Sequence, residues 1–553
     1  MSNDAVAKAP LSTSASSFGL GADEDPISLI QTHIGWIYVS RSFAFKLKKH
    51  VKFDFLDFTT IEKRRWACER EIALNSRLCP NIYLGLCPVY RDASGNIFLQ
   101  RDASASAGSG EVVDWAVWMR RMPLDRMLDA LLEKGSVTPR DAEVIAEALA
   151  GFHTSGRGKI AAGGLGDLDS VRANVEGNIR DVSKIDSGVL APEALQLLTM
   201  RSRHFMDRHG DVIRKRAADG FVVDGHGDLR AENICLPKDG PPLLFDCIEF
   251  NDHFRVLDGA LDAAFLAMDF DSRGRVDLSA AFMQRYRDLC DPQLPPALFN
   301  FYLGYRAFIK GKVTAWIAAD PHVPAQQKEF SRKQSRTLFD LAVQYAIKGK
   351  PIVVLFCGVA GSGKSSLARS LAERLRCESH VATDFVRDEI VPRGAPLGER
   401  YMPAVSQRVY EILYERMVKA LHEKRIVILD GTFTRAENRA RVAKLARDHG
   451  ACAVLLWADA SAETIAAHVQ KRNETGDVFG SEATITIARE QLANFETPGA
   501  DSGFQAVCRI DTNGKLDDAR EDAWRQAIGA LSWHGRPAHA VPLSPKSRRG
   551  FNP

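Results

Sequence analysis

Long apolar runs, a strong charge imbalance and paired cysteines are all missing from this sequence of 553 residues. No stretch reaches the roughly 18 consecutive apolar residues of a membrane-spanning helix, so we predict no membrane partner. The net charge of +3 gives no reason to make nucleic acid the main partner. The ten cysteines are scattered, without a CxxC pair or zinc-ligand spacing, which favours a reducing compartment and predicts a cytoplasmic protein.

The two ends of the chain lack the marks of a targeting signal. Residues 1–26 are rich in Ser and Ala but have neither the basic start nor the apolar core of a signal peptide. They also carry three consecutive acidic residues and no Arg, which is unlike a transit peptide. Residues 534–553 contain four prolines and four basic residues. We therefore predict a disordered tail at each end.

Between these tails the hydrophobic pattern changes once, near the sequence GKP. Residues 27–346 begin with short β-prone runs, continue with a charged helical pattern at 60–78, and end in long helical stretches. After GKP, apolar strands alternate with helices, which is typical of a parallel sheet covered on both faces. We predict two domains, 27–346 and 351–533, with a boundary at about 347–351.

An anion-binding loop opens the second domain. The octapeptide GVAGSGKS fits the Walker-A pattern GxxxxGK[ST] in full. Its glycines let backbone N–H groups surround a phosphate chain, Lys364 would reach the β- and γ-phosphates, and the Ser365 hydroxyl would bind Mg²⁺. A ligand-free turn is the alternative, but it leaves the apolar strand before the loop and the helix after it unexplained. We assign ATP binding to Gly358, Gly361, Ser362, Gly363, Lys364, Ser365 and Ser366.

Two further motifs stand where such a site needs them. Asp430 ends the apolar run IVILD, in the position of the Walker-B carboxylate that holds the Mg²⁺ shell; a helix-capping role is the alternative. Asp384 and Arg387 are three residues apart, so on a helix both project from one face. With Lys364 they form our predicted catalytic set, in which Asp384 accepts the proton of an attacking hydroxyl and Arg387 steadies a phosphate. An N-cap Asp beside a solvated Arg is the alternative.

The motifs GVAGSGKSSLA, TDFVR and LDGTF, in this order, resemble the small P-loop kinases related to polynucleotide kinase, gluconate kinase and zeta toxins. The resemblance spans roughly 351–530 and implies an α/β doubly wound P-loop NTPase domain that uses ATP. It also implies that Asp384 is the hydroxyl-activating base and that Arg387 helps to bind phosphate. A lid arginine should follow the fourth strand, and Arg472 in VQKRNETGD is our candidate.

A second kinase signature lies in the first domain. The segment HGDLRAEN has the catalytic-loop spacing H-x-D-x₄-N, which makes Asp228 the candidate base and Asn233 a candidate Mg²⁺ ligand. Thirteen residues later, Asp246 lies in the β-prone run LLFDCIEF, in the place of the Asp that holds the metal bridging the phosphates. A polar loop followed by an unrelated buried Asp is the alternative.

An ion pair that orients ATP is predicted upstream of this loop. Lys46 lies on the second strand of a predicted hairpin, and Glu71 lies on the helical pattern that follows. Kinases use a strand lysine, oriented by a helix glutamate, to hold the α- and β-phosphates. Lys48 and Glu69 are rivals, because sequence alone does not define the register, and solvated charges are the remaining alternative.

The motifs HGDLRAENI, FDCIEF and LDGALDAAFLAMD resemble the aminoglycoside phosphotransferase and choline kinase superfamily. Residues 45–58 and 64–89 are similar to a bacterial branch that is often fused to a P-loop kinase domain. The resemblance covers about 27–346 and implies an α+β bilobal protein-kinase-like domain. The first hairpin has no GxGxxG, so a different loop would cover ATP.

The leading hypothesis from these patterns is a phosphotransferase with two kinase domains, which uses ATP and Mg²⁺. Its acceptor would be a hydroxyl of a small molecule or, alternatively, of a nucleic-acid end. In a second hypothesis only the P-loop domain is catalytic, and the first domain is a pseudokinase that senses nucleotide or recruits substrate. In a third, the protein is a toxin-like or regulatory ATPase switch.

Overall fold

The computed structural model describes residues 10–53, 55–100, 110–155, 164–185, 188–423, 425–475, 483–499 and 502–532. The chain divides into two compact units, of which the first contains residues up to 178 together with 206–307. The second contains 179–205 and everything from 308 onward. The predicted tail 534–553 lies outside the described residues. Among the helices in the described ranges, none is long and apolar enough to cross a membrane.

An antiparallel sheet of six strands organises the first unit. The strands of this unit are β1 (Ser28–Gln31), β2 (Gly35–Val39), β3 (Phe43–Lys48), β4 (Lys52–Phe53), β5 (Leu56–Asp57), β6 (Tyr83–Asp92), β7 (Ile97–Leu99), β8 (Gly110–Arg120), β9 (Val222–Asp224), β10 (Ile234–Cys235), β11 (Leu243–Leu244) and β12 (Val256–Asp258). The sheet has the order β1-β2-β3-β8-β6-β7, and the predicted hairpin is formed by β2 and β3. Alternation along β3 places Phe45 and Leu47 in the core of the sheet, so Lys46 and Lys48 share the opposite face.

Ten α-helices lie between residues 61 and 347 of the described chain, and the first of them falls between β5 and β6. They are α1 (Ile61–Asn75), α2 (Leu128–Glu133), α3 (Pro139–Thr154), α4 (Leu168–Ser183), α5 (Pro192–Ala218), α6 (Asp252–Arg255), α7 (Gly259–Ser272), α8 (Val276–Cys290), α9 (Pro296–Ala319) and α10 (Ala325–Ile347). Helix α1 begins after Thr60, whose hydroxyl accepts a hydrogen bond from the Lys63 N–H at 3.3 Å. This capped helix is the charged helix that the sequence predicts at 60–78.

The disorder predicted for residues 1–26 is wrong for residues 10–26, which are folded. A short 3-10 helix, Ala15–Phe18, buries Phe18 completely. The Phe18 ring lies 5.0 Å from the ring of Tyr38 and 5.1 Å from that of Phe45. The polar composition of the segment led to the wrong prediction of disorder. A few buried apolar side chains are enough to order a segment when another part of the chain supplies the surface on which they pack. Residues 1–9 lie outside the described residues.

The second unit contains the predicted doubly wound sheet. Its strands are β13 (Ile352–Cys357), β14 (Ser379–Ala382), β15 (Ile426–Asp430), β16 (Cys452–Asp459) and β17 (Ala506–Asp511). Its further helices are α11 (Lys364–Leu375), α12 (Thr383–Ile390), α13 (Leu397–Arg400), α14 (Pro403–His422), α15 (Ala436–Asp448), α16 (Ala462–Thr475), α17 (Ile485–Ala493) and α18 (Leu516–Ser532). All strands are parallel in the order β14-β15-β13-β16-β17. The strand order changes direction at β13, so a ligand crevice is expected at the carboxyl end of that strand.

The two compact units do not divide at the predicted boundary of 347–351. Helix α10 belongs to the same unit as the parallel sheet. Arg374 connects α11 to α10, because its guanidinium lies 2.9 Å from the Asp340 carboxylate of α10. The same guanidinium lies 3.7 Å from the ring of Trp524 on α18. A change of hydrophobic pattern marks where a new sheet begins along the chain. It does not reveal which earlier helix packs on that sheet, and the domain limits remain a prediction.

Candidate active sites

The Walker-A segment forms a tight loop between β13 and α11. Gly358, Gly361 and Gly363 have φ angles of 146°, 83° and 86°, which favour glycine. A Cβ atom on Gly358 would lie only 2.6 Å from the Ala458 carbonyl oxygen. Helix α11 begins at Lys364, so its N-terminal end faces the loop, where backbone N–H groups bind anions. The loop therefore has the form that the sequence predicts for phosphate binding.

Side chains that are distant in sequence form hydrogen bonds with the backbone of this loop. Gln491 Oε1 of α17 accepts a hydrogen bond of 2.8 Å from the Ala360 N–H. The Thr512 hydroxyl, after β17, donates one of 2.9 Å to the Ser362 carbonyl oxygen. Neither contact was predicted, and no local pattern signals them, because a Gln on a helix or a Thr after a strand has many uses.

Asp430 lies at the end of β15 beside the first turn of α11. It is only 4% exposed, and its Oδ1 has no hydrogen-bond partner among the described residues. Burial raises the pKa of Asp430, while the Lys364 ammonium and the Ser365 hydroxyl act in the opposite direction. A buried carboxylate oxygen without a partner, next to a Walker-A serine, fits the oxygen-rich coordination of Mg²⁺. Within the described ranges no cluster of three or more His, Cys, Asp or Glu side chains suits a metal ion.

The predicted acid and arginine pair is formed on α12. This helix starts at Thr383, and Arg387 Nη1 donates a hydrogen bond of 3.0 Å to Asp384 Oδ1. The Arg387 guanidinium is buried under the Tyr401 ring at 4.7 Å, and its Nε has no partner among the described residues. In the parallel sheet Ala382 pairs with Asp430, so Asp384, two residues after Ala382, lies at the same carboxyl edge of the sheet as Asp430.

Arg472, the candidate lid residue, lies on α16. Its Nη2 donates a hydrogen bond of 2.5 Å to the Ala483 carbonyl oxygen. Residues 476–482, between that helix and Ala483, lie outside the described residues. The role of Arg472 at the phosphates therefore stays a prediction.

In the first unit, strand β3, helix α1 and the segment after β11 bring together the predicted lysine, glutamate and aspartate. Lys46 Nζ lies 3.0 Å from Glu71 Oε1 and 2.5 Å from Asp246 Oδ1. Lys48 Nζ lies 2.5 Å from Glu71 Oε2. Glu69 is excluded as the partner, because it is half-exposed and pairs with an arginine of its own helix. Both candidate lysines thus contact Glu71, but of these two Lys46 is the one bonded to Asp246.

Asp246 differs from the prediction in its backbone setting. Strand β11 ends at Leu244, so Asp246 lies after the strand and has a φ angle of 64°, unusual for a residue with a side chain. Burial raises its pKa, but Lys46 has the larger net effect and lowers the pKa of Asp246 to about 2. Such backbone strain is common at functional sites.

The predicted catalytic loop brings Asp228 and Asn233 into contact. Asn233 Nδ2 donates hydrogen bonds to the carbonyl oxygen of Asp228 at 2.9 Å and to its Oδ2 at 3.2 Å. Both carboxylate oxygens of Asp228 also accept hydrogen bonds from the Arg230 guanidinium, at 2.9 and 2.8 Å. Arg230 was not predicted as a site residue, although it lies inside the quoted motif. Asn233 and Asp246, the predicted metal ligands of this domain, carry side-chain oxygen atoms of the kind that Mg²⁺ prefers.

A buried aspartate outside the motif accepts hydrogen bonds from the backbone of the predicted catalytic loop. Asp262 of α7 accepts hydrogen bonds from the backbone N–H groups of His226 at 2.7 Å and Gly227 at 2.9 Å. His153 Nε2 lies 3.2 Å from the same carboxylate. The sequence shows this residue only as one acid in LDGALDAAFLAMD, and the contact depends on how α7 packs.

A protein-family model described as an AAA domain, AAA_33, matches residues 353–498. Solved structures that match part of the chain include a putative kinase from Chloroflexus aurantiacus, with 15% identity over 32% of this chain and 98% of that one and a TM-score of 0.27. A gluconokinase from Sinorhizobium meliloti has 19% identity over 33% and 94%, with a TM-score of 0.26. The APS kinase of Mycobacterium tuberculosis has 18% identity over 33% and 98%, with a TM-score of 0.24. Scores this low carry no argument, so the P-loop fold of the second unit rests on the family model and on its own topology.

Two relatives match nearly the whole chain. The uncharacterized protein Rv2004c of Mycobacterium tuberculosis strain H37Rv is 30% identical over 518 residues, which cover 92% of this chain and 97% of the relative. The uncharacterized protein Mb2027c of Mycobacterium bovis matches to the same extent. Both units are therefore shared with these relatives, and the chain belongs to the same protein family as Rv2004c and Mb2027c.

Proposed function

We propose that this protein is an ATP- and Mg²⁺-dependent phosphotransferase whose P-loop domain moves the γ-phosphoryl group of ATP to a hydroxyl group. The proposal is supported by the sheet register, which brings the end of β13 before the loop of Lys364 and Ser365, Asp430 at the end of β15, and the start of the helix with the Asp384–Arg387 pair to one edge of the sheet. A regulatory ATPase switch needs only a group that orients water, whereas a carboxylate held by an arginine suits activation of an alcohol. A small-molecule acceptor is the leading choice and a nucleic-acid end the alternative. The proposed location is the cytoplasm.

In this mechanism Lys364 and the N–H groups of the P-loop bind the phosphate oxygens and stabilise the charge that develops on the leaving ADP. Asp384 takes the proton of the acceptor hydroxyl as the acceptor oxygen bonds to the γ-phosphorus and the bond to the β–γ bridging oxygen breaks. Arg387 orients Asp384 and offers a cation to the transferred group. Mg²⁺, held by Ser365 and Asp430, would supply further positive charge at the phosphates.

The test is acceptor-dependent ADP release by the full-length protein, screened over a panel of hydroxyl-bearing metabolites. Lys364→Ala and Asp384→Asn should each lower kcat for the acceptor of this domain by about 100-fold or more, because each removes a group that acts in the transition state. Lys444→Ala is the control, since Lys444 is an exposed residue paired with Asp448 on α15. Unchanged kcat in Lys364→Ala would contradict the proposal.

We further propose that the first domain is a second, bilobal kinase-like domain with its own nucleotide site. The proposal is supported by the contacts of Lys46 with Glu71 and Asp246, and by the contact of Asn233 with Asp228. Lys46 would bind the α- and β-phosphates, Asp246 and Asn233 would hold Mg²⁺, and Asp228 would act as the base. A pseudokinase that recruits substrate is the alternative.

Two variants in a Lys364→Ala background distinguish the active kinase from the pseudokinase. Asp228→Asn should lower kcat by about 100-fold or more with little change in MgATP affinity, because it removes only the proton acceptor. Asp246→Asn should also weaken Mg²⁺-dependent nucleotide binding. The measurement is acceptor-dependent ADP release together with nucleotide titration. A background protein that binds MgATP but turns over no acceptor of a broad panel would support the pseudokinase instead.

A further inference from the structure

A second buried ion pair lies beside the proposed nucleotide site of the first domain. Lys48 is completely buried, and its ammonium contacts Glu249 as well as Glu71. Glu249 is 3% exposed and follows Asp246 by three residues. Four consecutive ion pairs therefore connect acidic and basic side chains in alternation, and the two end residues are linked by the backbone between 246 and 249, so the set forms a ring. The ring consists of Asp246, Lys46, Glu71, Lys48 and Glu249.

Secondary structure accounts for this arrangement. Residues two apart on a strand point to the same face, so β3 directs both Lys46 and Lys48 toward α1. Glu71 then accepts one lysine on each carboxylate oxygen. Asn75, one turn further along α1, accepts a hydrogen bond of 2.9 Å from the Cys247 N–H. Arg70, also on α1, donates a hydrogen bond of 3.1 Å to the Glu249 carbonyl oxygen. The segment that carries Asp246 is thus bonded to α1 through its backbone and to β3 through the Lys48–Glu249 ion pair.

The two lysines differ in how far they are enclosed. The side chain of Asp246, the outer partner of Lys46, is 39% exposed, whereas that of Glu249, the outer partner of Lys48, is 4% exposed. Burial lowers the pKa of Lys48, but Glu249 and Glu71 outweigh it and raise that pKa, so Lys48 stays a cation. The Lys46 end of the ring is therefore open to an incoming anion, and the Lys48 end is closed.

We propose that Lys48 and Glu249 are positioning residues that keep the Asp246 segment attached to β3 while Lys46 exchanges Asp246 for nucleotide phosphate. The inference rests on the proposed nucleotide site of the first domain. In this exchange a phosphate oxygen replaces Asp246 Oδ1 as a partner of the Lys46 ammonium, and Asp246 is then available to hold Mg²⁺. Without Lys48 and Glu249, the segment would keep its backbone hydrogen bonds to Asn75, Arg70 and Tyr83. It would lose the buried ion pair to β3, the strand that carries Lys46, so that Asp246 would shift relative to that lysine.

The test uses the full-length Lys364→Ala protein and titration with N-methylanthraniloyl-ATP, with and without Mg²⁺. Replacing both members of the pair, as Lys48→Met/Glu249→Met, should leave the melting temperature almost unchanged, because an apolar pair often substitutes for a buried ion pair without loss of stability. The Mg²⁺-dependent gain in affinity should nevertheless fall by about tenfold or more, as for other residues that orient metal ligands. Arg64→Met/Asp114→Met is the matched control. This control removes another largely buried ion pair, between α1 and β8, with an N···O distance of 2.9 Å. It should keep the Mg²⁺-dependent gain in nucleotide affinity.

The results of these titrations separate a failure of the inference from a failure of the proposed nucleotide site. A full Mg²⁺-dependent gain in the Lys48→Met/Glu249→Met variant would overturn the inference while leaving the nucleotide site intact. Failure of the Lys364→Ala background to bind the probe would reject the site and the inference together, and Lys46→Met should weaken binding with and without Mg²⁺ if the site exists. Should the double variant not fold, Glu249→Gln keeps the side-chain shape and should still reduce the gain. An unreduced gain there would also overturn the inference.

Discussion

At the scale of single residues, the P-loop site carries a cost in stability. Asp430 is buried, and the charge of its carboxylate is only partly offset by Lys364 and Ser365. An acid whose pKa is raised by folding binds its proton more tightly in the folded state. Above that pKa the ionised group destabilises the fold, and a fall in pH through the raised pKa relieves the effect.

Asp430→Asn should therefore stabilise the nucleotide-free protein by about 1 kcal/mol at neutral pH, because it removes a buried charge with little change of shape. The difference from the unmodified protein should shrink as the pH falls through the raised pKa of Asp430. MgATP affinity of the P-loop domain should drop at the same time. Denaturant unfolding at several pH values, with nucleotide titration at neutral pH, checks this. A variant that is less stable at every pH would contradict it.

At the scale of elements, the 3-10 helix Ala15–Phe18 shows how a short segment can complete a sheet. Phe18 lies on the rings of Tyr38 and Phe45, in the core that the six-stranded sheet forms. A second contact ties the same segment down, since Asp25 Oδ1 accepts a hydrogen bond of 2.7 Å from the Ala15 N–H. The segment is thus part of the fold of the first unit.

Phe18→Ala should destabilise the first unit by about 3 kcal/mol, because it leaves a cavity in a packed core. Thermal unfolding of the full-length protein should show the transition of that unit at a lower temperature. Thr13→Ala is the control, since Thr13 is exposed in the same segment. Equal melting of Phe18→Ala and the unmodified protein would show that the segment does not contribute to stability.

At the scale of the whole molecule, the limits of the P-loop domain have a practical consequence. Helix α10 precedes β13 and contacts α11 in the second unit. Arg374 of α11 pairs with Asp340 of α10 and with Glu521 of α18, each at 2.9 Å. A fragment that starts at residue 347 would lose Asp340 and the apolar face of α10.

We expect a fragment of residues 321–553 to melt at a higher temperature than one of residues 347–553. The physical reason is that α10 covers apolar surface and supplies Asp340, one of the two carboxylates that pair with the Arg374 guanidinium. Asp340→Asn in the longer fragment should lower its melting temperature in part, which separates the ion pair from the apolar contacts. Equal melting temperatures for the two fragments would instead support the boundary at 347–351.

Local patterns were sufficient for the elements that carry the P-loop chemistry. The GxxxxGK[ST] spacing, the apolar strand before it and the helix after it predicted the loop of Gly358–Ser365, because its form depends on residues that are adjacent in sequence. Alternating strands and helices likewise predicted the parallel sheet, since parallel strands need crossover connections. In the first unit, short β-prone runs predicted the hairpin of β2 and β3, but they did not predict which lysine contacts Asp246.

Only the tertiary structure decided the contacts between residues that are distant in the chain. Lys46 and Asp246 are 200 residues apart, and their bond depends on how β3 and the segment after β11 meet. The same holds for the Lys48–Glu249 pair, for the hydrogen bonds of Asp262 to the predicted catalytic loop, and for the packing of α10 against α11. Periodicity reports which face of an element is apolar. It does not report which other element covers that face, because this depends on packing of the whole unit.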